Sequence, residues 1–114
     1  MAVEPACSNG EAQKAEGVVG LIAAHRRAIS ALECLGNRLM HAGEAEAELI
    51  GPLLDAAMKS ETVIRRQAAM APVANVDDLK IKAAYFKRLI NNGWCDVDAD
   101  DLHELLRSFA ELPT

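Results

Sequence analysis

The chain has 114 residues, 51% of them hydrophobic but only 4% aromatic, and a formal charge of −5. That length suits one domain, and the composition calls for an aliphatic, Ala-rich core in which each side chain buries little area. The acidic balance argues against a dominant phosphate-binding role, which would need clustered Lys and Arg.

Charge is unevenly spread. Residues 1–58 carry four basic and eight acidic side chains, residues 59–90 seven and three, and residues 96–114 one and six. A basic middle between acidic flanks implies an acidic partner or neutralisation within the molecule. Cys7, Cys34 and Cys95 are odd in number and irregularly spaced, so they form neither a disulfide framework nor a zinc motif. The expected setting is cytoplasmic with reduced thiols. No basic leader precedes an apolar run, and no run approaches the ~18 apolar residues of a membrane span.

Residues 1–10, with Pro5 and Gly10, read as a flexible arm, and residues 11–114 as a single helical domain. A first helix is expected from about Glu11 to His41. Its stripe of Val18, Ile22, His25, Ile29, Leu32 and Leu39 follows steps of three and four. Ala42-Gly43 supplies a left-handed cap. A second helix is expected over Glu44–Met70, lined by Ile50, Leu54, Ala57, Glu61, Ile64 and Ala68. Pro52 lacks an amide proton and crowds the carbonyl of Glu48, which predicts a kink or restart.

A third helix starts from an Asn75 cap, with Asp78 in a near capping-box position. It is expected to bury Leu79, Ala83, Phe86 and Ile90 before Asn92-Gly93 ends it. Asp98 then caps a fourth helix lined by Leu102, Leu105, Leu106, Phe109 and Leu112. The expected fold is all-α: a long antiparallel hairpin with two shorter helices packed on its open end. Leu32, Leu35, Leu39, Leu49, Leu53 and Leu54 near the closed end then lack partners, which points to a homodimer surface.

His25 and Glu61 are the two ionisable residues inside apolar stripes, and the hairpin brings them level. They read as a buried structural pair or, functionally, as a ligand contact, metal site or proton switch. A metal site is sparsely populated on this count, because no Glu-x-x-His motif is present. A sensor requires a pocket of roughly 300 Å³ or more at the pair; a scaffold requires the pair packed shut.

The run Asp96, Asp98, Asp100 and Asp101 opens like a calcium loop. That loop wants Gly and Glu where Asp101 and Arg107 stand, so an acidic helix start is the better account. Arg65, Arg66, Lys80, Lys82, Lys87 and Arg88 form a basic patch. Asp77 and Asp78 occupy the base-reading start of the third helix and disfavour DNA binding. A His phosphotransfer role for His25 fails on the residues after it, Arg26 to Ile29, where that family has Lys-Gly. Neither a catalytic serine elbow, a base beside a cysteine nor a Gly-rich phosphate loop is evident, so neither enzyme activity nor a cofactor is expected.

The stretch ETVIRRQAAMAPVANVDDLKIKAAYF, Glu61 to Phe86, resembles a pattern of small uncharacterised helical proteins of alphaproteobacteria. Pro72, Leu79, Lys82 and Ala83 match it, whereas Asn75 and Asp78 depart from its usual Thr and Gly. The resemblance covers about half the chain and implies this helical layout in a bacterial cytoplasm. The function expected is a non-enzymatic, dimeric protein-interaction or regulatory module. The alternatives are a small-ligand or metal sensor using His25 and Glu61, and a nucleic-acid accessory protein.

Overall fold

The computed structural model describes residues 17–112, so the expected arm at residues 1–10 and the first turns from Glu11 lie outside the described residues. The described residues form four helices: α1 (Gly17–Met40), α2 (Glu44–Met70), α3 (Val76–Asn92) and α4 (Ala99–Ala110). Among the described residues there is no strand. No helix among the described residues is long and apolar enough to cross a membrane.

The two long helices form the hairpin. α1 closes with a tight turn, His41 N–H donating to Arg38 O and Ala42 N–H to Leu39 O. Gly43 is not the expected left-handed cap: it is extended, with φ −75°, and serves as the N-cap of α2. The short turn already reverses the chain, so no left-handed residue is needed. α2 runs through Pro52 without a restart. Both Pro52 and Glu48 are exposed, so water can satisfy the carbonyl that proline leaves without a donor.

The shorter helices are started by their own side chains. Asn75 Oδ1 accepts from the Asp78 amide at 2.8 Å, and Gly93, with φ 62°, ends α3 in the left-handed conformation. α4 opens with a complete capping box, Asp98 accepting from the Asp101 amide and Asp101 from the Asp98 amide.

α3 packs on α1, and α4 packs on α2. Both cover the open end of the hairpin. The buried residues of α1 therefore fall between its start and its middle (Val18, Ile22, His25, Ile29), and those of α2, apart from Ile50, in its second half (Glu61, Arg65, Ala68, Ala69). The molecule is only 18 Å thick in its thinnest direction, and its radius of gyration is 16.2 Å. A compact domain of this length would have about 13 Å.

Two core stripes differ from those expected. In α3 the buried set is Lys82, Tyr85, Phe86 and Leu89, while Ile90 is exposed and Leu79 and Ala83 are half-buried. In α4, Leu102 and Leu106 are exposed, and Asp101, Leu105 and Ser108 are buried. Both helices are rotated so that polar residues turn inward, because partners wait for them there.

Candidate functional site: a polar chain through four helices

His25 is fully buried on α1, and the carboxylate of Glu61 faces it from α2. The ring Nε2 lies 2.7 Å from Glu61 Oε2, and Nδ1 lies 2.7 Å from the Tyr85 hydroxyl on α3. A carboxylate accepts from Nε2–H, and in that tautomer of the ring Nδ1 accepts from the Tyr85 hydroxyl. The Tyr85 ring also meets the His25 ring edge-on, with centroids 5.7 Å apart. The pairing of His25 with Glu61 inferred from the hairpin register is present.

The chain of contacts continues beyond the expected pair. Arg65, one turn along α2, donates from Nη1 to both Glu61 oxygens at 2.8 Å. Its Nε donates to Asp101 Oδ2 at 2.7 Å. Arg66 Nε donates to the other Asp101 oxygen at 2.6 Å, and its far nitrogen reaches Asp98 at 3.4 Å. Asp101 thus closes the α4 capping box and accepts two guanidinium groups. Burial works against the Arg65 charge, but the bond to Asp101 and the charges of Glu61 and Asp101 more than offset it, and its pKa rises. Asp101 mirrors this: burial would raise its pKa, yet the bonds from Arg66, Asp98 and Arg65 hold it below the usual carboxylate value.

These contacts dissolve the expected basic patch. Arg65 is buried and Arg66 half-buried against acidic side chains, and Lys82 is fully buried, which leaves Lys80, Lys87 and Arg88 exposed. Asp98 and Asp101 supply the intramolecular neutralisation. The acidic run at the α4 start is therefore a helix start and an ion-pair partner together.

Lys82 occupies a second polar pocket. Its Nζ donates to Ala71 O at 2.6 Å and to Ser108 Oγ at 2.7 Å, so it ties the α2–α3 connection to α4. Burial pushes its pKa down to about 8. A lysine beside a serine also occurs in nucleophilic dyads. Here Ser108 donates to Leu105 O at 2.7 Å, and the two residues are 0% and 2% exposed. No substrate reaches them, and the pair is structural.

Cys95, in the α3–α4 connection, is the residue that spacing along the chain did not reveal. A ligand atom from each of His25, Glu61 and Cys95 lies within 4.8 Å of the others. Burial, and then the charge of Glu61, push the Cys95 thiol up to about 11. Beside them a cleft of about 340 Å³ is lined by Glu61, Arg65, Trp94 and Cys95, with Leu32 and Met58 on its wall. His25 itself is sealed. The pair is therefore closed on its His25 side and reaches the cleft through Glu61.

At the closed end, Leu49 and Leu53 are exposed, while Leu32, Leu35, Leu39 and Leu54 are half-buried within the hairpin. No family model, curated protein or solved structure matches the chain.

Proposed function

We propose that the chain is a non-enzymatic interaction or regulatory module acting as a homodimer, in which two copies meet along the uncovered flank of α2. The observation that carries this reading is the stripe of Leu49, Leu53, Val63 and Met70, each more than half exposed. Leu49, Ala56, Val63 and Met70 recur every seven residues, the spacing with which one helix seats against another. Neither α3 nor α4 covers this flank, which extends the expected closed-end surface along the whole helix. Beside it a groove of about 600 Å³, lined by small residues such as Gly20 and Ala24 together with Ile64 and Gln67, leaves room for an incoming helix. Exposed apolar area of this extent marks association surfaces. The resemblance noted above supports a bacterial cytoplasmic setting.

The test is solution mass. Light scattering at micromolar concentration should give twice 12.2 kDa. Leu49→Glu combined with Val63→Glu should halve that mass while leaving helicity intact. A monomeric wild-type chain overturns the reading.

A second reading, a small-ligand or metal sensor, is favoured by one observation: the cleft of about 340 Å³ reaches Glu61 and Cys95. No comparable observation favours nucleic acid, because Arg65 and Lys82 are withdrawn from the surface.

A further inference from the structure

We propose that His25 Nε2, a Glu61 carboxylate oxygen and Cys95 Sγ form a three-ligand site for a zinc-class transition-metal dication, with its fourth position open to the cleft. The inference rests on the sensor reading and names the ligand class of that cleft.

Geometry carries the first part. The three ligand atoms lie within 4.8 Å of one another. Tetrahedral zinc, with bonds of about 2.0–2.3 Å, sets its ligand atoms roughly 3.3–3.8 Å apart. The His25–Glu61 contact of 2.7 Å must open slightly, and Cys95 must close by at most about 1.3 Å. Cys95 can do so. It sits between α3 and α4, outside the hydrogen-bond ladder of either helix.

Chemistry carries the second. An imidazole, a carboxylate and a thiolate suit zinc or cobalt and exclude calcium and magnesium, which take oxygen ligands. On binding, the Cys95 thiol proton leaves to solvent as the S–metal bond forms. The His25 proton departs Nε2 and a proton is taken up at Nδ1, which then donates to the Tyr85 hydroxyl. The charges of Glu61, the thiolate and the dication sum to zero. Arg65 keeps its bond to Asp101 at 2.7 Å, so it need not follow Glu61. Supporting partners already flank two ligands, Tyr85 behind His25 and Arg65 behind Glu61. The Cys95 thiol already meets Glu61 and Arg65 at the cleft-facing side, so it stands where a third ligand is needed.

The experiment titrates the reduced full-length chain with cobalt(II) and zinc(II). One cobalt per chain should bind, with a near-ultraviolet thiolate band and tetrahedral visible bands. Cys95→Ser should remove the thiolate band and weaken zinc binding about a hundredfold. The double variant Cys7→Ser, Cys34→Ser should keep both band and affinity. Tyr85→Phe should weaken zinc about tenfold through the ring it orients. Absence of cobalt binding overturns the proposal, as does a thiolate band that survives Cys95→Ser. Trp94 is the only tryptophan and lines the cleft, so its emission separates the two readings. If metal fails while a fragment library shifts Trp94 emission, the metal site falls and the cleft reading stands; if both fail, both fall.

Discussion

Arg65 Nε sits 2.7 Å from Asp101 Oδ2, and both side chains are withdrawn from water, at 5% and 0% exposure. Together with the Arg66–Asp101 pair it joins the second long helix to the last short one. It also couples the His25–Glu61 contact to the α4 capping box, because Arg65 bonds Glu61 and Asp101 belongs to the box.

Removing one partner of such a pair strands the other charge in a poor environment, at a cost of about 3–5 kcal/mol. Asp101→Ala should lose that amount in urea unfolding. Asp98→Ala removes a cap and a weak exposed pair, and should lose about 1 kcal/mol. Equal losses for the two variants would show that the buried bridge contributes nothing beyond capping. Since Asp101 titrates below its ordinary value of 3.8 in the folded chain, its contribution is present above about pH 4 and is lost as the pH falls through the folded value. Asp101→Asn should flatten that acid limb.

Lys82 predicts the opposite slope at alkaline pH. Its folded pKa of about 8 lies below the ordinary 10.5, so the unfolded chain binds the extra proton between those values. Stability then rises with pH from about 8. Cys95 and Tyr85 oppose this. Burial first, and then nearby charge, raises them from 9.0 to about 11 and from 10.0 to about 12, so the folded chain holds their protons longer and stability falls across those ranges. The expected sum is a stability maximum near pH 9 in thermal melts. Lys82→Met should erase the rise between pH 8 and 9, and Cys95→Ala should delay the fall.

The Tyr85 hydroxyl is the partner of His25 Nδ1 at 2.7 Å. Tyr85→Phe keeps the buried ring but leaves that nitrogen without a partner, a loss of about 1–3 kcal/mol. Combined with Glu61→Gln, the loss should be non-additive, because both variants act on one imidazole. Strict additivity in a double-mutant cycle would mean that the two hydrogen bonds are not coupled through the ring.

Gly93 isolates a backbone effect. Its φ is +62°, and a Cβ added there would meet nothing within 4 Å. Gly93→Ala should therefore cost about 1–2 kcal/mol from the left-handed conformation alone. Gly93→Asn should cost less, since Asn tolerates that region. Chemical denaturation of the two variants checks the order.

The chain by itself determined its helices. Asn75, Gly93 and Asp98 mark ends through hydrogen bonds that span three or four residues. Steps of three and four placed Val18, Ile22, His25 and Ile29 on one buried face. The His25–Glu61 pair was legible too, because a three-residue turn sets the register of an antiparallel hairpin. Only the tertiary structure decided how α3 and α4 are rotated. Their apolar stripes are ambiguous by one residue, and the choice followed Lys82 and Asp101, whose partners Ala71, Ser108, Arg65 and Arg66 come from other elements. Charge counting grouped Arg65 and Lys82 with surface bases for the same reason: burial of a charge depends on a partner distant in the chain. Cys95 shows the limit most plainly. Nothing in its local sequence marks it, and the packing of a loop against a helix pair brought it to His25 and Glu61.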